Sequence, residues 1–159
     1  MIWVYILAAI VSWLLWNVIH EMSHVVAAKA FGKVKSWTIK PYPHMHNGSF
    51  RFAGAYWDWE GDPPATAARG MISLAPRIMN FLAIELIIIT FFLSGMAKLL
   101  LLIFCLGGVV DMFVGSIGYG KRSDLRRGAE RLEISPWKIR TAGLAASVVG
   151  VLAAIASFL

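Results

Sequence analysis

The sequence predicts an all-α membrane protein, a polytopic bundle of about four transmembrane helices with a small β-hairpin inserted between the first and the second. Hydrophobic residues make up 58% of the 159 residues and charged residues only 15%, which is too apolar for an ordinary soluble domain. The apolar residues form stretches long enough to span a bilayer, which takes about 20 residues in a helix. We therefore expect an integral, multi-pass membrane protein that folds as a single domain.

The predicted spans cover approximately residues 2–30, 68–93, 97–119 and 137–159. The first span has no basic n-region and runs well beyond the apolar core of a signal peptide, so we expect it to be retained. The last span is rich in small residues, which suits close helix packing within a chain or between chains.

The segment 33–59, between the first two spans, has a different pattern. Strand-forming residues such as Trp37, Ile39 and Phe52 surround Asn47-Gly48, a strong signal for a two-residue hairpin turn. We expect a short β-hairpin or small sheet here. Two roles stay open: an edge strand that pairs with an extended peptide, or an interfacial loop anchored at headgroup depth by Trp and Tyr.

Basic residues are concentrated in two of the connections between spans. Positively charged connections stay in the cytoplasm, which predicts that both termini lie outside. The net charge of +6 is explained by this topology and by contact with the anionic headgroups of the lipid bilayer, and the sequence contains no nucleic-acid-binding motif. The residues are Lys33, Lys35, Lys40, Arg51 and Arg69 in the first connection and Lys121, Arg122, Arg126, Arg127, Arg131, Lys138 and Arg140 in the last.

The first span ends in an H-E-x-x-H sequence formed by His20, Glu21 and His24. Residues i and i+4 share a helix face, so both imidazoles can bind one metal ion. Zinc held by two histidines and a third protein ligand keeps a position for water, and Glu21 is placed to act as the general base. Because ionisable residues in a spanning helix are costly, this pattern favours a functional site, and the topology places it toward the cytoplasmic side.

The stretch from His20 to Gly32 resembles the H-E-x-x-H-x-x-A-A pattern of the site-2 protease family of intramembrane zinc metalloproteases. The stretch from Ser73 to Asn80 is similar to the A-G-P-x-x-N of that family, with Ala75 where the family has glycine. The resemblance implies a Zn²⁺-dependent endopeptidase that hydrolyses peptide bonds within or next to transmembrane segments of membrane-protein substrates. It also implies that Asn80 hydrogen-bonds the substrate or the oxyanion.

Two aspartates are candidates for the third zinc ligand. Asp124 matches the family's metal-binding aspartate through its Ser-Asp context and the basic helix that follows. Asp111 lies within the third span at a depth similar to that of the histidines, and an intramembrane carboxylate is a functional candidate by default. We expect Asp124 to be the ligand, with Asp111 as the alternative ligand or as a hydrogen-bonding partner of a histidine.

Pro76 is expected to affect the backbone near the metal. It has no amide hydrogen, so it leaves a carbonyl of the preceding turn free, and Asn80 one turn later can bond exposed backbone. Both effects place polar groups near the histidines.

Two other functions remain open at this stage. A membrane zinc protease of another class, cutting cytosolic loops or peptides, would take a later ligand such as Glu130 or Glu133. A non-catalytic metal-binding membrane adaptor would hold partner helices without cutting them. The expected partners are a transmembrane-helix protein substrate, the lipid bilayer and regulatory membrane proteins.

Overall fold

Long apolar helices dominate the fold, as predicted. The computed structural model describes residues 2–51, 53–118 and 123–159. Four of the described helices are long and apolar enough to cross a membrane: α1 (Ile2–Phe31), α2 (Thr66–Ile89, continued by a 3-10 turn Thr90–Phe92), α3 (Gly95–Ile117) and α5 (Pro136–Phe158). The other elements are the short helix α4 (Asp124–Arg131) and the strands β1 (Val34–Lys40), β2 (His44–His46), β3 (Ser49–Arg51) and β4 (Gly54–Trp59).

The predicted spans agree with these helices to within two residues wherever the structure describes them. Some sequence-based assignments fall on residues outside the described ranges: Phe52 of the predicted hairpin, Tyr119 at the end of the third span, and Lys121 and Arg122 of the basic connection. That connection contains the helix α4, in agreement with the basic helix expected after Asp124.

Helix α2 lies at the centre of the bundle and contacts α1, α3, α4 and α5. The apolar core consists of buried residues from α2, α3 and α5. Cys105 is a fully buried thiol in this core, which agrees with a packing role. The core cluster is Ile87, Leu102, Cys105, Val109 and Ala154.

Small residues let α1 approach α3 closely. The Trp16 ring of α1 lies over Gly107 and Gly108, where a Cβ on either glycine would lie 2.5 to 2.7 Å from ring atoms. The indole N–H of Trp16 donates to the Phe104 carbonyl at 2.5 Å, and the Ser12 hydroxyl donates to the Ile103 carbonyl at 3.1 Å. Such cross-helix hydrogen bonds and small residues are typical of helix packing in lipid.

Helix α4 folds back against α2, which brings its first residue to the histidines. Its apolar face, which includes the buried Leu125 and Ala129, packs inward. Gly128 allows this approach, because a Cβ there would lie 2.5 Å from the Leu74 side chain and 3.2 Å from the Gly70 carbonyl oxygen. The α2–α4 contact therefore sets the position of Asp124.

The segment between α1 and α2 forms the predicted β-hairpin. Strands β1 and β4 are antiparallel, and β2 and β3 extend the hairpin as a second antiparallel pair. The turn at Asn47 (φ 48°) and Gly48 (φ 70°) has positive φ at both positions, as a type I′ turn requires. The hairpin packs on α1, and Trp59 lies 2.9 Å from the position of a Cβ on Gly32.

Close packing of α5 on α3 gives a test of the bundle. A Cβ on Gly143 would overlap the Ser116 hydroxyl of α3, so we expect Gly143→Leu to lower the free energy of unfolding by about 1–3 kcal/mol through overpacking. The matched control Ala142→Leu adds the same side chain at the neighbouring exposed position. The midpoint of thermal unfolding in detergent, followed by tryptophan fluorescence, measures both; equal effects of the two variants would contradict this packing.

Candidate metal site

His20 and His24 lie one turn apart on α1 and face the start of α4. Their ring centroids are 5.3 Å apart. The Nε2 atoms of His20 and His24 lie 3.6 Å and 3.3 Å from the same carboxylate oxygen of Asp124. One ligand atom from each residue falls within 4.8 Å of the others, so these three residues can hold one metal ion.

The other ring nitrogen of His24 is bound to backbone that Pro76 leaves free. Nδ1 of His24 lies 2.7 Å from the carbonyl oxygen of Ile72, the residue four positions before Pro76. An α-helical N–H at position 76 would have taken this carbonyl, and proline has none. Since a carbonyl only accepts, Nδ1 of His24 donates to it, and Nε2 faces Asp124.

His20 is oriented by a carboxylate instead. Its Nδ1 lies 2.9 Å and 3.1 Å from the two carboxylate oxygens of Asp111 on α3. Asp111 and Asp124 therefore lie at opposite nitrogens of the His20 ring. The geometry groups Asp124 with the ligand nitrogens and gives Asp111 the position of a partner that fixes the histidine, a common arrangement around metal sites.

Asn80 and Arg77 of α2 hold Asp111 in place. The Asn80 side-chain N–H groups donate to the Gly108 carbonyl at 2.7 Å and to Asp111 Oδ2 at 2.8 Å. Nη1 of Arg77 lies 3.3 Å from the Asp111 carbonyl, and the guanidinium packs directly on Gly115. Asn80 is fully buried, so its donors are used inside the bundle and do not face a substrate. This geometry does not favour the oxyanion role that the family resemblance implies.

Asp124 is fixed by the start of α4. The Ser123 hydroxyl caps the helix by accepting from the Arg126 N–H at 3.3 Å, and Arg127 donates to the second Asp124 oxygen at 2.5 Å. Burial raises the pKa of the Asp124 carboxyl, but hydrogen bonds and charge interactions with His20 and His24 outweigh it and hold the pKa well below its usual value. Asp124 is therefore ionised at neutral pH.

Glu21 lies beside the histidines in the wall of a cavity of about 720 Å³. Its side chain is nearly buried, and the backbone N–H of Ala55 in β4 donates a hydrogen bond to its carboxylate. His24 and Asp124 line the same cavity. Glu21 and two of the three candidate metal ligands, His24 and Asp124, thus border one space large enough for part of a peptide.

Arginines complete this cavity, whereas in the sequence their charge indicated only the topology of the spans. They come from β3, α2 and α4, which are far apart in the chain. The signal in the sequence was their charge, but only the fold shows that they converge. These residues are Arg51, Arg69, Arg127 and Arg131.

Glu130, one alternative ligand, points elsewhere. It pairs with Arg126 at 2.7 Å on the exposed face of α4. Neither Glu130 nor Glu133 belongs to the group of candidate metal-binding side chains found among the described residues. The geometry therefore gives no support to a metal site of the alternative class.

Comparisons of the chain with protein-family models, with curated proteins and with solved structures found no match. The function is therefore argued from the chemistry of the site and from the sequence motifs.

Metal titration distinguishes the two aspartates. We expect Asp124→Ala to abolish binding of Co²⁺, a visible probe for such sites, because it removes a ligand. Asp111→Asn should keep binding but weaken it by about 10–100-fold, since it loosens the orientation of His20. The variants Glu130→Gln and Glu133→Gln are controls and should bind as the wild type does. Loss of binding in Asp111→Asn together with full binding in Asp124→Ala would reverse the assignment.

Proposed function

We propose that the protein is an intramembrane zinc endopeptidase that hydrolyses peptide bonds within or next to transmembrane segments of membrane-protein substrates. The observation that carries the proposal is the convergence of His20, His24 and Asp124 in a membrane bundle, with His24, Asp124 and Glu21 bordering one cavity. The resemblance of the H-E-x-x-H and Pro76 segments to the site-2 protease family supports the same activity.

The donor set suits zinc. Two imidazole nitrogens and one carboxylate oxygen form a borderline ligand field, and three protein ligands are the usual number in catalytic zinc sites. Zn²⁺ held by His20, His24 and Asp124 would supply a Lewis acid that lowers the pKa of bound water and polarises the scissile carbonyl. A purely structural zinc is generally closed by four protein ligands and needs no adjacent base.

Glu21 is the proposed general base. Its carboxylate takes the proton from the attacking water and later passes it to the leaving amine of the cleaved peptide. The hydrogen bond from the Ala55 N–H fixes one side of the carboxylate, and the cavity leaves room for water and substrate.

The remaining polar residues of the bundle position the histidines. Asp111 orients His20, the Ile72 carbonyl orients His24, and Asn80 and Arg77 hold Asp111. We assign Asn80 this positioning role in place of the predicted contact with substrate or oxyanion, because its N–H groups are already donated within the protein.

Strand β4 is the proposed binding edge for the substrate. It pairs with β1 along one edge, while Ala55 donates to Glu21 from the other. A helical substrate hides its scissile amide in backbone hydrogen bonds, so it has to unwind before cleavage. An extended segment that pairs with the outer edge of β4 would lie in the same cavity as Glu21, which is the β-augmentation mode of peptide recognition.

Charge supports an orientation in which the site lies toward the cytoplasm. The hairpin and α4, which flank the site, belong to the two lysine- and arginine-rich connections. With both connections in the cytoplasm, the N-terminus, the C-terminus and the short α2–α3 connection lie outside. Regulatory membrane partners would bind the protein in this same orientation in the bilayer.

Replacement of the base tests the activity. We expect Glu21→Gln to keep the metal, since it leaves His20, His24 and Asp124 in place, and to reduce cleavage of a single-span reporter peptide by about 10²–10⁴-fold. Mass spectrometry of the products and metal analysis of the same preparation measure the two quantities. Unchanged cleavage in Glu21→Gln would sink the mechanism. A wild-type protein that binds the peptide and zinc but leaves the peptide intact would favour the adaptor.

Thiol labelling tests the orientation. In a Cys105→Ser background, a cysteine at Ser94 between α2 and α3 should react with a membrane-impermeant maleimide added outside intact cells. A cysteine at Ser135, between α4 and α5, should react only after the membrane is permeabilised. The opposite pattern would place the metal site on the outer side.

A further inference from the structure

Arg51, Arg69, Arg127 and Arg131, here called the arginine cluster, line the cavity that holds Glu21 and Asp124. The four come from β3, α2 and α4, so the folded chain gathers four positive charges around a space that contains two carboxylates. A bound divalent metal would make the excess of positive charge larger. Such a cavity attracts anions.

The protein supplies little negative charge to balance the cluster. Among the described residues, the ion pair of Arg127 with Asp124 at 2.5 Å is the one salt bridge that the cluster makes. Its other hydrogen bonds go to neutral acceptors: Arg69 donates to the Thr66 hydroxyl at 3.2 Å, and Arg131 donates to the Arg69 carbonyl at 3.3 Å and to the Ser73 hydroxyl at 3.1 Å.

Several donors of the cluster have no acceptor. The Nε atoms of Arg51, Arg69 and Arg127 are buried and have no hydrogen-bond partner within the described structure. A buried donor without a partner is costly, and an arginine donor more so than a neutral one. Burial lowers the pKa of the Arg131 guanidinium, and the charges of Arg127 and Arg69 lower it further, which indicates like-charge crowding.

We propose that the arginine cluster binds a carboxylate of the substrate, an aspartate or glutamate side chain close to the scissile bond. The proposal rests on the proposed peptidase function and names the class of segment that is cut. Guanidinium groups form paired, charge-assisted hydrogen bonds with carboxylates, which supplies both affinity and register. A peptide paired with β4 would place such a side chain within the cavity.

A lipid phosphate has similar acceptor chemistry, but the position of the cluster favours a peptide. The cavity lies between the hairpin, the start of α2 and α4, and Ala55, Tyr56 and Trp57 of β4 form part of its wall. A ligand in it would therefore contact the binding edge and Glu21 together.

The charge of the cavity also excludes ordinary membrane proteins. Cytoplasmic flanks of transmembrane helices are usually rich in lysine and arginine. In the proposed orientation these flanks are repelled by the arginine cluster, whereas an acidic flank is attracted. Discrimination by repulsion as well as attraction is a common source of specificity.

The test compares three single-span reporter peptides that differ only in one flanking residue, Asp, Asn or Lys. Kinetics are measured with the purified protein, the double variant Arg51→Gln/Arg69→Gln and the control Lys138→Gln, which removes an exposed charge at the start of α5, outside the cavity. We expect the wild type to prefer Asp over Asn by about 10-fold or more in kcat/KM, mainly through KM, and the double variant to lose that preference. Lys138→Gln should keep it.

Binding separates this proposal from the peptidase proposal. Fluorescence anisotropy of the same labelled peptides with Glu21→Gln protein should show the Asp preference without cleavage. Equal affinities for the Asp and Asn peptides, in a wild type that cleaves both, would overturn the carboxylate site and leave the peptidase intact. Binding that prefers Asp, in a wild type that cleaves nothing, would support the carboxylate site and end the peptidase proposal.

Two further arms complete the design. Nanodiscs of phosphatidylcholine with and without phosphatidylglycerol test whether the cluster binds lipid. If it does, activity would depend on the anionic lipid, and the double variant would prefer the Asp peptide over the Asn peptide as strongly as the wild type does. That result would overturn the proposal. Co²⁺ binding and elution as a single species verify folding. Arg51→Lys/Arg69→Lys keeps the charge but loses the guanidinium fork, so it should retain part of the preference.

Discussion

The carboxylate of Asp111 joins three of the membrane helices, and the orientation of His20, a candidate metal ligand, depends on it. It accepts from His20 of α1 and Asn80 of α2 while it belongs to α3 itself. In a bilayer no water is available to satisfy these groups, so each has to find its partner inside the bundle. Removing the Asp111 carboxylate would leave Nδ1 of His20 and one N–H of Asn80 without this partner, which is why this network also fixes how the helices fit together.

Backbone groups contribute as much to the site as side chains do. Pro76 leaves the Ile72 carbonyl free for His24, and the N-cap at Ser123 starts a helix whose first residue is Asp124. A carboxylate in the first turn is also favoured by the helix dipole. In both cases a local change in the hydrogen bonding of a helix positions a candidate metal ligand. The free Ile72 carbonyl orients His24, and the N-cap at Ser123 fixes Asp124.

The sequence was informative wherever one local pattern decides the structure. Bilayer thickness fixes the length of a span, and Asn47-Gly48 fixes a turn, so both were predictable. The preference for Asp124 over Asp111 came from the family resemblance and not from a local pattern, because the position of Asp124 depends on α4 packing on α2 through Gly128. The convergence of Arg51, Arg69 and Arg127 likewise follows from long-range packing. The Asn80 side chain donates inside the bundle because α2 brings it within hydrogen-bond distance of Asp111 on α3.

The separation of the ligands along the chain has a consequence for biogenesis. His24 and Asp124 are 100 positions apart, and α2 and α3 lie between them. During synthesis the histidines therefore enter the membrane long before their carboxylate partner has left the ribosome. The three candidate ligands, His20, His24 and Asp124, come together only after α1, α2 and α3 are inserted and α4 has packed against α2. For the proposed peptidase, a partly made chain would therefore lack the complete metal site, and activity would begin only once insertion is complete.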